Sequence, residues 1–155
     1  MDENDKKIVN LLQDNARCSL KQLSEQVFLS SPAVAARIEK LEREGLITGY
    51  HASTDPEKMG YHITAYIDVE MPPKNKQPFV EYIREVPNVL SCDFVTGHFT
   101  MLVKAAFMTT NELDAFIEDL QRFGSTETHI VFSTPIPARG IRLPVREKTP
   151  AVPEG

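Results

Sequence analysis

The sequence predicts an α+β protein in two parts: three short helices, then a β-α-β-β-α-β run. Three observations predict it. Apolar residues recur at helical spacing through the first 47 positions. Breaker pairs crowd residues 48–62. Beyond them, runs rich in β-branched and aromatic residues alternate with two amphipathic stretches. The expected division is 1–47, a hinge over 48–62, a second domain over 63–144 and a flexible tail over 145–155.

The first helix is expected over residues 2–14. Ile8, Leu11 and Leu12 form its apolar stripe, and Asp2, Glu3 and Asp5 sit at the positive end of its dipole. Ser19 opens the second helix, with Gln22 three residues on, the pattern of a capping box; Leu20, Leu23 and Val27 supply the buried face. After the turn Leu29-Ser30, Ser31 is the expected N-cap of the third helix and Pro32 its first helical residue. Gly45 ends that helix in a left-handed cap. Three helices with a tight turn between the second and third outline a helix-turn-helix.

In the second part a strand is predicted over Ile63–Val69, ended by Pro72-Pro73. A helix follows over Phe79–Val86. Strands over Val89–Thr96 and Thr100–Phe107 are joined by the turn Gly97-His98-Phe99. The second helix, Asn111–Phe123, carries Leu113, Phe116, Ile117 and Leu120 on one face and is capped by Gly124. Thr126–Ser133 is the last strand. This order is the ferredoxin-like, split βαβ arrangement. Phe79, Phe94, Phe107, Phe116 and Phe132 are expected in the core, and Arg139–Leu143 as a short extended piece.

Composition excludes several classes. The formal charge is −5, but residues 1–50 hold 7 Lys/Arg against 8 Asp/Glu, so the deficit lies mostly elsewhere. Cys18 and Cys92 form no disulfide framework, which fits a reducing cytoplasm. The acidic start is no secretory signal, and no apolar run approaches the roughly 18 residues of a membrane span. His51, His62 and His129 lack metal-ligand spacing. No cofactor is expected.

The placement of charge on the third helix is more informative. At 100° per residue from Arg37, Leu41, Val34 and Ile38 fall at about 40°, 60° and 100° and form the core side. Opposite them lie Ala33, Ala36, Lys40 and Arg43, with Arg37 at the edge. Small residues let such a helix sink into a major groove, and long cations then meet phosphates or guanine edges. Ser31 and the free N–H groups beside it can hold a phosphate.

The stretch Ser31-Pro32-Ala33-Val34, Arg37-Ile38, Leu41-Glu42, Gly45-Leu46-Ile47 resembles the recognition helix of the Lrp/AsnC, or feast/famine, regulators. Asp5 to Leu12 and Leu20 to Leu23 match the two preceding helices; Gly49-Tyr50, Asp55-Pro56 and Met59-Gly60 resemble the hinge; Arg139 to Pro144 resembles the closing strand. The resemblance implies a winged helix-turn-helix joined to a ferredoxin-like, ACT-like domain. It also implies a homodimer, often stacked to an octamer, on a near-palindromic double-stranded DNA operator, with an amino acid or related metabolite as effector. By that resemblance Ser31, Ala33, Val34, Arg37 and Lys40 approach DNA; together with the outward-facing Ala36 and Arg43 and with Ser19, Ser30 and Pro32 they make the expected DNA-contacting set, in which Arg37 is expected to govern sequence preference. The effector set is Gly97, His98, Phe99 and Thr100. One departure weakens that second set: the family turn ends in Asp, whereas this chain has Thr100, which offers no charge to an ammonium.

Two alternatives stand beside this reading. Lrp-like folds also serve as sirohaem decarboxylases, but no nucleophile–base pair is evident here. A metabolite-sensing module without DNA binding would suit the net negative charge.

Overall fold

A computed structural model describes residues 1–146. The chain divides into two compact units. One comprises residues 1–53 and the segment from Pro137; the other is Thr54–Ile136. Among the described residues no helix is long and apolar enough to cross a membrane.

The first unit holds α1 (Glu3–Asp14), α2 (Leu20–Val27) and α3 (Ser31–Arg43). Asp2 and Asp5 close a capping box on α1: each backbone N–H donates to the other's carboxylate at 2.9 Å. Ser19 and Gln22 form the expected box on α2, at 3.2 and 2.8 Å. The N-cap of α3 is Ser30 rather than Ser31. Ser30 has the extended backbone of a cap, and its hydroxyl accepts from the Ala33 N–H, which makes Ser31 the first helical residue and Pro32 the second. Ile8, Leu23, Val27 and Val34 make the core, joined by Leu11, Leu12 and Ile38.

The two helices of the helix-turn-helix end by related devices. At α3, Gly45 (φ 69°) and Leu46 donate to Glu42 O and Leu41 O, both at 2.9 Å, a Schellman motif. At α2 the left-handed position is filled by Phe28 (φ 55°, ψ 44°), and the N–H groups of Phe28 and Leu29 converge on Ser24 O. Phe28 is the one non-glycine residue at positive φ among those described. That conformation costs an L-residue about 1–2 kcal/mol, and the Phe28 side chain regains little by packing, since it is 89% exposed.

The segment from Pro137 runs along α1. Asn10 exchanges two 2.9 Å hydrogen bonds with the backbone of Leu143. Gln13 donates to Ile141 O at 3.0 Å, Arg142 grips Asp14 at 2.7 and 2.9 Å, and the Arg146 N–H donates to Glu3. Arg142 holds the Asp14 carboxyl below its ordinary value. Lys6, and after it the Arg146 N–H, do the same for Glu3. The extended piece at 139–143 therefore belongs with the helices rather than with the second unit, because amide side chains of α1 supply the partners a neighbouring strand would have offered. Residues 145 and 146, expected in a flexible tail, lie on this segment; the rest of that tail, 147–155, lies outside the described residues.

The second unit is β1 (Ile63–Glu70), α4 (Lys76–Glu85), β2 (Val89–Phe94), β3 (Met101–Phe107), α5 (Thr110–Gln121) and β4 (Ser125–Ile130). The sheet order is β2-β3-β1-β4, antiparallel throughout. Ala65, Ile67, Val69, Val103, Ala105 and Phe107 line its inner face and bury against Phe79 and Ile83 of α4 and Leu113, Phe116 and Leu120 of α5. The Tyr82 hydroxyl on α4 donates to Asp119 on α5 at 2.9 Å, and burial pushes its pKa up to about 12.

Two predicted core aromatics are outside. Phe94 is 57% exposed, because β2 lies at the edge of the sheet, and the Lys76 ammonium lies 3.4 Å over its ring. Phe132, two residues past β4, is 99% exposed. Gly124 is not a left-handed cap for α5. A Cβ there would overlap the Glu70 carbonyl oxygen and lie 2.9 Å from Met71 Cα, so glycine serves a close approach of backbones where β4 joins β1.

Candidate nucleic-acid interface and effector turn

Packing of α3 onto α1 and α2 leaves its opposite face open. Ala36, Lys40 and Arg43 are exposed, Ala33 is half-buried, and Ser30 and Pro32 are exposed at its leading end. Lys40 is tethered only loosely, its ammonium 3.8 Å from Glu44 with both side chains about half exposed. Ser31 is half-buried and its hydroxyl meets that of Ser24 at 3.4 Å. Ser19 is exposed at the start of α2. Small residues toward the entry end and cations toward the exit end thus share one solvent-facing surface.

Two residues of the expected set behave differently. Val34 is fully buried in the three-helix core, so it shapes the helix rather than touching a duplex. Its 60° wheel position already placed it inward. Arg37 is engaged within the unit: one guanidinium nitrogen lies 2.7 Å from Asp2 and 2.6 Å from Asp5. The Asp5 side chain is only 4% exposed, so Arg37 is the countercharge of a buried carboxylate. The Asp5 N–H, and after it Arg37, hold the Asp2 carboxyl below its ordinary value. The Asp2-x-x-Asp5 spacing of a capping box was the sequence signal for this cluster.

In the second unit, the predicted turn lies between β2 and β3. Gly97 has φ 125°, a conformation that L side chains rarely adopt. Val95 N–H donates to Thr100 O at 2.9 Å, closing the turn, and Thr100 N–H donates to Val69 O at 3.2 Å, tying it to β1. Gly97 and His98 are exposed; Phe99 and Thr100 are half-buried. His98 reaches Glu70, at the end of β1, with 3.2 Å between Nε2 and a carboxylate oxygen. A carboxylate therefore stands beside the turn even though Thr100 brings none. Sequence reading missed Glu70 because it is 27 residues from Gly97 and meets the turn only through the sheet. Among the described residues no group of three His, Cys, Asp or Glu is placed to hold a metal ion.

Residues 1–48 match the family model for winged helix-turn-helix DNA-binding domains, and residues 64–141 match that for the Lrp/AsnC ligand-binding domain. The HTH-type transcriptional regulator YezC of Bacillus subtilis is 34% identical over 134 residues, covering 86% of this chain and 95% of its own length. The chain belongs to the Lrp/AsnC family. The regulator LrpA of Bacillus subtilis is 32% identical over 84% of the chain and 97% of its own length. Among solved structures, the Neisseria meningitidis regulator NMB0573, determined as a complex with L-Met, superposes with a TM-score of 0.85 at 29% identity, covering 93% of this chain and 96% of its own. Escherichia coli AsnC does so at 0.83 and 26%, over 92% and 99%. This Lrp/AsnC chain is accordingly a DNA-binding transcription regulator with an α+β architecture, its family one of regulators rather than enzymes.

Proposed function

We propose that this regulator binds a near-palindromic operator as a homodimer, and as a larger stack such as an octamer, and that an amino acid or related metabolite sets its affinity. The observation that carries the DNA reading is the open face of α3, with Ala36, Lys40 and Arg43 exposed together. Charge distribution supports it. Residues 54–136 hold 6 Lys/Arg against 12 Asp/Glu, whereas the rest of the chain holds 11 against 10. The negative charge thus sits in the sheet-bearing unit, and the helical unit is free to approach phosphates. The homodimer is supported by the face of the sheet on which, among the described residues, no helix packs, where Tyr66, Asp68, Lys104 and His129 lie.

The test is a salt titration of binding to DNA upstream of the protein's own gene. The wild type loses affinity steeply as salt rises. Lys40→Ala with Arg43→Ala weakens binding about tenfold or more and flattens the log–log salt slope by about 1 per lost phosphate contact. An unchanged slope would remove α3 from the interface.

For the effector, Glu70 is the group proposed to meet an ammonium at the Gly97 turn. Calorimetry across a panel of amino acids, methionine included, is expected to give heat with at least one, and Glu70→Gln to abolish it. Heat that persists in the variant would assign the ammonium elsewhere; silence across the panel would leave the turn without an amino-acid ligand.

A further inference from the structure

We propose that Phe28, at the turn between α2 and α3, is a DNA-contacting residue that lays its ring against apolar surface of the duplex beside the entry end of α3. The inference rests on the DNA reading of α3 and adds a contact that charge patterning does not reveal.

The argument begins with a mismatch between residue and conformation. Phe28 occupies the left-handed region, where a bulky side chain is an outlier and glycine is at ease. The same unit shows the unstrained solution one helix later, where Gly45 takes the corresponding position at the end of α3. Strain of this kind persists where something outside local stability retains it. Nothing among the described residues does so: Phe28 is 89% exposed, whereas Leu23, Val27 and Leu29 on either side are drawn into the core or against it. Both the backbone and the side chain of Phe28 are therefore unfavourable in the free protein.

Its place in the chain indicates what compensates. Phe28 lies two residues before Ser30, the N-cap of α3, and that end of the helix carries the exposed Pro32 and the small Ala33. When the N-terminal end of a recognition helix enters the major groove, the turn before it comes to the groove wall. Two apolar partners are available there, the thymine C5 methyl and the deoxyribose, and either accepts a phenyl ring. Phe132 is even more exposed, but it carries no positive φ and lies outside the helix-turn-helix.

The test separates folding from binding by sign. Phe28→Gly removes the strained side chain, so its melting temperature should equal or exceed that of the wild type. Its affinity for operator should fall about tenfold or more, as expected for losing a buried phenyl contact. Phe28→Asn, which also tolerates this conformation, should show the same pair of effects and guards against an effect peculiar to glycine flexibility. Repeating the measurement on operator with deoxyuridine in place of thymidine distinguishes the sources. A methyl contact makes wild-type binding sensitive to the replacement and the variants indifferent; a sugar contact leaves the wild type unaffected while the variants remain weak. Full affinity in both variants would overturn the proposal. Failure of the wild type to bind any duplex would instead overturn the DNA reading on which it rests.

Discussion

Arg37→Ala is expected to unfold the helical unit more readily, by about 2–3 kcal/mol, before any effect on sequence preference is felt. The Asp5 carboxylate is nearly inaccessible, and Arg37 lies 2.6 Å from it and 2.7 Å from Asp2. Removing the guanidinium leaves a desolvated negative charge with only the Asp2 N–H beside it. Pairing the change with Asp5→Asn should recover part of the loss, since a neutral amide keeps the shape without the charge. The checks are thermal melts of both variants and selection of bound DNA at a temperature where each is folded. The expected outcome is a lowered melting point with the selected sequences unchanged. An unaltered melting point together with relaxed base preference would return Arg37 to the role of a base reader.

Gly124→Ala is expected to cost the second unit about 3 kcal/mol or more, among the larger effects available to a single methyl group. The added carbon meets the Glu70 carbonyl and the Met71 backbone, neither of which can swing aside like a side chain. Relief requires the end of β1 to separate from the start of β4, where Glu70 pairs with Ser125. Gly140→Ala is a useful contrast: its methyl would overlap only the Gln13 side chain, which can rotate away at the loss of its hydrogen bond to Ile141 O, about 1 kcal/mol. Denaturant titrations of the two variants should therefore differ severalfold in lost stability. Equal losses would show that the β1–β4 junction yields more easily than its geometry implies.

Much of this architecture can be read from spacing alone. The order of helices and strands follows apolar periodicity, and the ends of α2 and α3 follow from Ser19-x-x-Gln22 and Gly45, because each needs only neighbours within a turn. The departures occur where the decisive partner is remote or two local choices compete. Ser30 and Ser31 are equally good caps, and only the path of the chain out of α2 selects between them. Arg37 fell at the edge of the outward face, and the wheel cannot see that Asp2 and Asp5, 35 and 32 residues earlier, approach that edge. Gly124 resembled a helix stop, and its real constraint, the Glu70 backbone, comes from another strand. Val34 followed the family resemblance onto the DNA face although its own periodicity pointed inward.

The attachment of the Pro137–Arg146 segment to α1 has a practical corollary for building hybrid regulators. The helical unit is assembled from both extremities of the polypeptide, so a cut at the hinge does not release it whole. A fragment stopping at Ser53 would expose Asn10, Gln13 and Asp14 without their backbone and Arg142 partners. A chimera that transplants this reading head onto a foreign sensor must therefore graft two stretches, one at each terminus.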